Sequence, residues 1–437
     1  MNSKFFYFTV FFLFSITGFS QNTSLQNLNI PQDSLQDGTY EIRYNNGKLK
    51  AKGRIEEGKE SGLWRYFYEN GEPLEFTNFV KGLKEGLSRK FDRYGVTINE
   101  AIYGKGKLNG AYQEYYDNGS LALKGTYTDG LKDEVWIEYF PDGAVNYRKT
   151  YKNGLPNGEW VYYYSFGRTK AIESYENGVE SGTWKIYHPN RYLEKIFHFT
   201  NGLLEGEYKE YHENGNLSVE GQYEYDLKTG EWLSFYKNSK PFAIGKYDRD
   251  QKTGQWKYFD ESGLLESEGQ FINDLKSGQW IYYHPNGTLS MIGSFLNDEK
   301  DGLWGIFFIN EQLLQEQEWS NDRLLNITPC YSIQGEERDP GTLKNGDGTF
   351  IQYFDDGTVS IFLNYENGYE NGPARLHYPN GNLIEAGIFK MGIRDGLWKE
   401  YHENGNLFSQ GEYSFGAKTG GWSIHDENGR QIDVESY

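Results

Sequence analysis

The strongest constraint on this chain is a repeat of 24 residues that runs through most of its length. Aligning the sequence on its recurring G-x-W pattern gives unit starts that are 24 residues apart, without insertion or deletion. The first series starts at Gly38, Gly62, Gly86, Gly110, Glu134, Gly158, Gly182, Gly206, Gly230, Gly254, Gly278 and Gly302, and the second at Gly348, Gly372, Gly396 and Gly420. A fixed period of this length indicates tandem supersecondary units that bury a hydrophobic surface against their neighbours.

The residue pattern within a unit is G-x-W-x-x-Y-[YH]-x-N-G-x-L-x-x-x-G-x-[YF], where the unit start is offset 0. Offset 2 holds ten of the eleven tryptophans of the chain. They are Trp64, Trp136, Trp160, Trp184, Trp232, Trp256, Trp280, Trp304, Trp398 and Trp422. Short segments rich in aromatic residues and separated by glycine are typical of β-strands and tight turns.

Asn-Gly or Asp-Gly, which recurs at offsets 8 and 9, predicts a hairpin turn within the repeat unit. Glycine occupies offset 9 in thirteen of the sixteen units, and the exceptions are Arg191, Ser239 and Glu311. This dipeptide favours a two-residue type I′ turn, in which both residues need a positive φ. Residues whose offsets sum to 17 then face each other, so Trp280 is predicted to cover Gly293, and Phe295 to cover Gly278.

Offset 5 is tyrosine or phenylalanine in thirteen units, and side chains alternate along a strand, so this row points away from the tryptophans. We interpret it as the candidate ligand-facing row, because Tyr and Trp dominate the binding energy of protein interfaces. The candidate residues are Tyr115, Tyr139, Tyr163, Tyr187, Tyr211, Phe235, Phe259, Tyr283 and Phe307.

The repeat predicts an all-β fold, an elongated single-layer twisted antiparallel sheet of tandem β-hairpins. Residues 38–325 supply twelve units, and 348–437 supply four more, including a truncated C-terminal cap. Residues 326–347 interrupt the period, either as a decayed unit or tolerant loop, or as a recognition loop or hinge. Residues 21–37 are predicted to be a flexible leader.

Residues 1–20 have the pattern of a secretory signal peptide. Lys4 precedes an apolar run, and Gly18 and Ser20 occupy the small-residue positions before a predicted cleavage. The run is short for a membrane span, and no cysteine lies near the cleavage site, so we expect export without a lipid anchor, to the periplasm, the cell envelope or the outside. A retained N-terminal anchor is the alternative. Cys330 is the only cysteine, which excludes an intrachain disulfide.

A formal net charge of −19 argues against nucleic acid and anionic membranes as partners, because both require a cationic surface.

The nine residues KEYHENGNL occur twice, at Lys209–Leu217 and Lys399–Leu407, and resemble a duplicated active site. Their histidines, His212 and His402, fall at offset 6, where other units have aromatic residues, so we interpret them as aromatic substitutes. Equivalent residues of neighbouring units lie about 10 Å apart, too far for two histidines to share a zinc ion. No catalytic or cofactor motif is present, and we therefore expect neither an enzyme nor a cofactor.

Aspartate recurs at offset 20 in five consecutive units, at Asp226, Asp250, Asp274, Asp298 and Asp322. We interpret these residues as stabilising the turns between hairpins. A calcium-binding edge is the alternative, although one carboxylate per turn falls short of the six to eight oxygens that calcium prefers.

The pattern, as in GAYQEYYDNGSLALKGTY from Gly110 to Tyr127, resembles the bacterial variant of the MORN repeat. The resemblance covers nearly all of residues 38–437 outside the interruption, and it implies a β-hairpin scaffold. Many bacterial members are described as antitoxin-like, which implies protein binding rather than catalysis. MORN repeats elsewhere are associated with lipid headgroups, an association that the acidity of this chain opposes.

The sequence thus leads to an exported, non-enzymatic scaffold that binds a protein partner through its aromatic-rich sheet. One alternative is a cell-envelope glycan-binding protein, in which the aromatic rows stack on the rings of a polysaccharide. Another is an immunity protein that neutralises a toxin.

Overall fold

The computed structural model describes residues 36–437, and the predicted signal peptide and most of the predicted leader lie outside this range. The described residues form β-strands and turns, and the chain divides into two compact units, Met1–Arg191 and Tyr192–Tyr437. Consecutive strands pair antiparallel in hairpin order within each unit. The predicted all-β fold of tandem hairpins is therefore confirmed.

The described residues of the first compact unit, 36–191, contain fourteen strands. They are β1 (Gly38–Arg43), β2 (Leu49–Glu56), β3 (Lys59–Phe67), β4 (Pro73–Val80), β5 (Leu83–Phe91), β6 (Thr97–Gly104), β7 (Lys107–Tyr115), β8 (Leu121–Thr128), β9 (Leu131–Tyr139), β10 (Val145–Lys152), β11 (Leu155–Tyr163), β12 (Thr169–Glu176), β13 (Val179–Glu180) and β14 (Gly182–Tyr187).

The second compact unit contains the remaining strands. They are β15 (Leu193–Thr200), β16 (Leu203–Leu204), β17 (Gly206–Tyr211), β18 (Leu217–Glu224), β19 (Leu227–Phe235), β20 (Pro241–Asp248), β21 (Gln251–Phe259), β22 (Leu265–Ile272), β23 (Leu275–Tyr283), β24 (Leu289–Leu296), β25 (Glu299–Lys300), β26 (Gly302–Phe307), β27 (Leu313–Ser320), β28 (Arg323–Ile327), β29 (Cys330–Tyr331), β30 (Glu337–Arg338), β31 (Gly348–Tyr353), β32 (Val359–Glu366), β33 (Tyr369–Glu370), β34 (Gly372–His377), β35 (Leu383–Lys390), β36 (Ile393–Tyr401), β37 (Leu407–Ser414), β38 (Ala417–His425) and β39 (Gln431–Ser436). Strands β31 to β39 form a nine-stranded sheet.

The turn inside each hairpin differs from the predicted type I′ turn. In the unit at Gly278, the N–H of Gly287 donates to the carbonyl of His284 at 2.8 Å, and the N–H of His284 donates to the carbonyl of Thr288 at 2.8 Å. The loop therefore has three residues, of which only Gly287 has a positive φ. This is the arrangement of a type I turn followed by a glycine bulge. The asparagine at offset 8 accepts a hydrogen bond from the chain instead: Asn286 Oδ1 from the N–H of Thr288, at 3.1 Å.

The predicted register is nevertheless correct over most of each hairpin. Gly278 pairs with Phe295 and Trp280 with Gly293, as the sum of 17 requires. Closer to the turn the pairing shifts by one, so that Tyr283 faces Leu289. A β-bulge in the returning strand absorbs the extra loop residue, and the wrong turn type leaves the two faces unchanged.

The two-residue type I′ turn occurs between hairpins, at offsets 19 and 20. In the first such connection, Glu57 and Gly58 have φ values of 51° and 69°, and their flanking residues Glu56 and Lys59 pair directly. Positive φ at both positions is the signature of this turn type. Short connections of this kind join each hairpin to the next and keep neighbouring units in one register.

Eight of the ten tryptophans at offset 2 cover a glycine, but the glycine belongs to the preceding unit. Although Gly293 lies opposite Trp280, a Cβ at Gly293 would lie 2.1 Å from Cδ2 of Trp304. Trp304 Nε1 also donates to the carbonyl of Ser294 at 3.1 Å. The prediction that Trp280 covers Gly293 is wrong, because the indole reaches across to the neighbouring hairpin. The ring therefore joins two units rather than closing one.

The same contact recurs in eight of the ten units that have tryptophan at offset 2. The eight glycines are Gly53, Gly125, Gly221, Gly245, Gly269, Gly293, Gly387 and Gly411, and a Cβ on any of them would lie 2.1–2.4 Å from an indole carbon. The tryptophans above them are 0–4% exposed. Burying an aromatic side chain of this size stabilises the fold by several kcal/mol, about 3–5 on removal to alanine.

A cation completes the stack above most of these rings. Seven of the eight buried tryptophans have a lysine or arginine four residues earlier whose charged group lies 4.0–4.7 Å from a ring centroid. The cations are Lys132, Lys228, Lys252, Lys276, Lys300, Arg394 and Lys418. Such cation–π contacts contribute about 0.5–2 kcal/mol each. We call this arrangement, glycine below and cation above, the tryptophan stack.

Residues 326–347 have the local geometry of a shortened unit. The N–H of Ser332 donates to the carbonyl of Glu336, and Gly335, with φ 85°, closes the turn as glycine does at offset 9 elsewhere. Leu343 from this segment is buried against Leu324 and Phe350 from the flanking repeats. The segment therefore contributes to a shared core with the units before and after it.

The three exceptions at offset 9 provide a test of the turn geometry. Ser239 and Glu311 both adopt a φ of 67°, a conformation that costs a non-glycine residue about 1–2 kcal/mol. We expect Ser239→Gly and Glu311→Gly each to raise the free energy of unfolding by about 0.5–1 kcal/mol, measured by chemical denaturation. Gly287→Ser is the reverse control, with a loss of similar size, since a Cβ at Gly287 meets no atom within 4 Å. If all three variants unfolded with the same free energy as the wild type, the assigned turn geometry would be wrong.

The tryptophan stack predicts strong coupling between a glycine and the tryptophan of the next unit. We expect Gly245→Ala to destabilise the protein by about 1–3 kcal/mol, because its Cβ would lie 2.1 Å from Trp256. In a double-mutant cycle, Trp256→Ala should remove most of that cost. Gly421→Ala, whose Cβ would lie 3.5 Å from Val434, is the control with little expected effect. Additive effects of Gly245→Ala and Trp256→Ala would exclude the contact.

Candidate functional site

The nine candidate aromatic residues at offset 5 lie on the face opposite the tryptophan stack, which we call the tyrosine face. All nine are half-buried, so each shows part of its ring to solvent. Residues at offsets 3 and 14 surround them and alternate between aliphatic and charged side chains, as in the pairs Val161–Ile172 and Lys257–Glu268. The tyrosine face is therefore a mixed aromatic and polar surface.

Two rings of the tyrosine face are fixed by hydrogen bonds to glutamates of the preceding unit. Tyr283 donates through its hydroxyl to Glu268 Oε1 at 2.9 Å, and the Tyr115 hydroxyl lies 2.8 Å from Glu100 Oε2. Burial raises the pKa of both tyrosines, and the neighbouring carboxylates raise it further. Lys124 Nζ lies 5.7 Å from the ring centroid of Tyr139. These contacts hold the rings in fixed orientations, which reduces the entropic cost of binding.

The histidines of the duplicated KEYHENGNL segment connect neighbouring turns. His212 Nε2 lies 2.9 Å from the carbonyl oxygen of Phe235, and His402 Nε2 lies 3.0 Å from that of His425. Tyr236 makes the same bond one unit later, from its hydroxyl to the carbonyl of Phe259 at 2.8 Å. Histidine and tyrosine are therefore equivalent hydrogen-bonding side chains at offset 6.

The glutamates of this segment do not form a catalytic pair. Glu210 projects onto the face of the tryptophan stack, where it is half-buried and bonds to Lys195 Nζ at 2.6 Å and to the hydroxyl of Tyr208. Burial alone would raise the pKa of Glu210, but these two hydrogen bonds outweigh it and lower the pKa. Glu210 is thus a half-buried residue that is paired with Lys195 and Tyr208.

The aspartates at offset 20 occupy the turns between hairpins, as predicted. Asp250 Oδ1 accepts from the N–H of Lys228 at 2.8 Å, and Asp274 Oδ1 accepts from the N–H of Lys252 at 2.7 Å. Each aspartate therefore bonds the backbone of the preceding unit in addition to forming its own turn. These aspartates thus have a structural role at the junction of adjacent units.

Two units depart from the tryptophan stack, and sequence reasoning missed them. Lys149 and Glu173 occupy offset 15, where glycine lies beneath the eight buried tryptophans. The tryptophans that follow them, Trp160 and Trp184, are the two of the ten that are only half-buried. The signal in the sequence is a unit that keeps tryptophan at offset 2 after the preceding unit has lost glycine at offset 15.

No group of three or more histidine, cysteine or carboxylate side chains within residues 36–437 is arranged to hold a metal ion. The same residues contain no helix that is long and apolar enough to span a membrane.

Comparison with protein-family models identifies the repeat. The model of the MORN repeat variant matches residues 36–55, 108–129, 204–225, 252–273, 276–297 and 394–414. Six segments of the chain therefore match the MORN repeat variant. The matched segments lie in the 24-residue register and include the hairpin residues of their units. A comparison with curated protein sequences finds no significant match.

Among solved structures, the chain is similar to a crystal structure of TcdB2-TccC3-TEV, with 12% identity over 91% of this chain and 22% of that chain, at a TM-score of 0.15. It is similar to TcdB2-TccC3, with 10% identity over 93% of this chain and 26% of that chain, at a TM-score of 0.14. A third match is the Tc holotoxin pore of Photorhabdus luminescens, with 9% identity over 91% of this chain and 24% of that chain, at a TM-score of 0.15. The MORN-repeat chain thus spans about a quarter of the matched chains, and such low TM-scores define no shared function.

The role of the offset-6 histidines can be tested by replacement. We expect His212→Ala to lower the free energy of unfolding by about 1–2 kcal/mol, because the carbonyl of Phe235 loses its partner. His212→Tyr should retain most of the stability, since Tyr236 makes the equivalent bond. Chemical denaturation of the three proteins measures the difference. If the tyrosine variant were as unstable as the alanine variant, the structural role of His212 would be wrong.

Proposed function

We propose that this MORN-repeat protein is an exported, non-enzymatic scaffold that binds a protein partner through its tyrosine face. MORN repeats and a repeat-rich all-β fold suggest a protein-interaction scaffold. The observation that supports this face is its row of half-buried aromatic rings, of which Tyr115 and Tyr283 are held by hydrogen bonds to glutamates, with the ion pair of Lys257 and Glu268 on the same face. Tyrosine and tryptophan dominate binding energy when they combine apolar area with a fixed orientation.

Export rests on the N-terminal 20 residues, with their charged start, apolar run and small residues before the cleavage position. The destination is the periplasm, the cell envelope or the outside. The net charge of −19 favours a partner with a basic or neutral contact surface and disfavours nucleic acid and anionic membranes.

A crosslinking pull-down with the full chain, from envelope and secreted fractions of native cells, tests this function. The expected result is a specific protein that is recovered by the wild type and lost with the triple variant Tyr139→Ala, Tyr163→Ala, Tyr187→Ala. Truncation of three interface aromatics should weaken binding at least tenfold, because hot-spot residues each contribute more than about 1–2 kcal/mol.

The matched control is the double variant Gln255→Ala, Gln279→Ala, which removes exposed polar side chains at offset 1 on the same face. It should retain the partner. A circular dichroism melt of each variant verifies folding. Recovery of no specific protein, or equal recovery by the triple variant, would contradict the proposal.

A further inference from the structure

The two half-buried tryptophans occur where the stack loses its glycine and also the cation that lies four residues before the tryptophan in other units. Below Trp160 the glycine is replaced by Lys149, and four residues before Trp160 the cation is replaced by Pro156. The next unit repeats the change, with Glu173 in place of glycine and Glu180 in place of the cation. Two consecutive units therefore change at the same two positions, while both keep the tryptophan.

The indole rings are still held in place at this interruption. Trp160 Nε1 donates to the carbonyl of Thr150 at 2.8 Å, the same bond that the buried tryptophans make. Its ring contacts those of Tyr151 and Tyr175, with centroids 5.2 and 4.7 Å away. Trp160 is thus a fixed ring with a partly solvent-exposed surface, whereas its equivalents Trp136 and Trp232 are 1% and 4% exposed.

Lys149 places unused hydrogen-bond donors beside this ring. Its Nζ lies 4.3 Å from the ring centroid of Tyr147, 4.5 Å from that of Trp160 and 4.9 Å from that of Tyr162. In the part of the chain that the structure describes, Lys149 Nζ forms no hydrogen bond or ion pair. Burial lowers the pKa of Lys149, and the nearby carboxylates partly oppose that change.

Glu173 supplies the complementary acceptor. Its Oε2 accepts hydrogen bonds from the hydroxyls of Tyr162, at 3.0 Å, and Tyr175, at 2.9 Å. Its Oε1 has no hydrogen-bond partner among residues 36–437. Burial raises the pKa of Glu173 despite the two tyrosines. Elsewhere on this face, Glu385 forms an ion pair with Arg394 at 2.7 Å, whereas Glu173 forms no ion pair among residues 36–437.

The chemistry of this cluster selects against charged ligands. Glu114, Glu138 and Glu180 interact electrostatically with Lys132, Tyr147 and Glu173 respectively, so an anion would be repelled by several nearby carboxylates. A cation would meet Lys132 and Lys149. A ligand that fits must offer hydroxyls that both accept from Lys149 and donate to Glu173, and an apolar face for Trp160. A pyranose ring has these features, since its C–H face is apolar and its hydroxyls lie at the edge.

We propose that Lys149, Trp160 and Glu173 form a binding site for one pyranose ring of a neutral saccharide. The Lys149 ammonium donates to a ring hydroxyl, Glu173 Oε1 accepts from another, and the indole of Trp160 packs against the C–H face. The site lies on the face opposite the tyrosine face, so it is independent of the protein-binding surface proposed above.

Restoring the repeat pattern provides the decisive variant. Lys149→Gly with Glu173→Gly recreates the glycine that lies beneath the eight buried tryptophans, so we expect Trp160 and Trp184 to become buried without loss of stability. Acrylamide quenching of tryptophan fluorescence should fall in this variant, and its melting temperature should be equal or higher. Loss of binding in this variant then cannot result from unfolding.

Titration calorimetry of the full chain with a panel of neutral hexoses, N-acetylhexosamines and their β-linked oligomers tests the site. We expect one class to bind, with at least a tenfold loss of affinity in the double glycine variant. Lys276→Ala is the matched control, because it removes a lysine above the buried Trp280, and it should bind as the wild type does.

Three outcomes would overturn the proposal. The first is that no saccharide in the panel binds to the wild type at millimolar concentration. The second is that the double glycine variant binds as tightly as the wild type. The third is that a peptide library, rather than a saccharide, yields ligands sensitive to the double glycine change. The protein pull-down is unaffected by any of these, because it depends on Tyr139, Tyr163 and Tyr187.

Discussion

The contact of an indole ring with a bare glycine backbone determines most of this structure. A tryptophan at offset 2 can lie flat on the neighbouring strand only where the residue beneath it has no Cβ, and at Gly245 even one methyl carbon would come within 2.1 Å of the ring. The period of 24 residues follows from this requirement, because each ring must find the glycine of the preceding unit. A sheet built in this way buries its tryptophans without a second layer of strands above the glycines.

Since the ring reaches backward, the units are energetically coupled to their neighbours. The other recurring contacts have the same direction or its reverse. Asp250 receives a hydrogen bond from the backbone of the preceding unit, whereas His212 bonds to the backbone of the following one. Stability in such an array is a sum of terms within units and between nearest neighbours. The acidic and histidine-rich segments that resemble active sites are therefore connections between adjacent hairpins.

The sequence alone is sufficient to predict the fold class, the hairpins and the register, because periodicity and glycine spacing depend on local chemistry. The sequence is insufficient to determine the turn type within the hairpin, since Asn-Gly is compatible with both a type I′ turn and a type I turn with a bulge. The sequence also does not show which neighbouring strand the Trp304 ring contacts, because the strand that carries Trp304 is hydrogen-bonded to one strand on either side. The cations above the rings were visible as Lys228, Lys252, Lys276 and Lys300, but their role required the distance to the indole.

In a repeat protein, equivalent positions of different units can be compared directly, and the comparison shows which residues the fold requires at each position. A unit that loses both tryptophan and glycine, such as the one with Ser88 after Thr77, has replaced the whole stack and remains buried. Where Lys149 and Glu173 replace the glycines at offset 15, the following units keep their tryptophans, Trp160 and Trp184. Both rings are then only half-buried, and two charged groups lose part of their contact with water, which costs stability. The cation–π contacts of Lys149 and the two tyrosine hydrogen bonds of Glu173 offset only part of this cost, so the sheet itself supplies no complete compensation. Binding of a ligand at Trp160 supplies that compensation, since the ligand covers the ring and pairs the two unused polar groups.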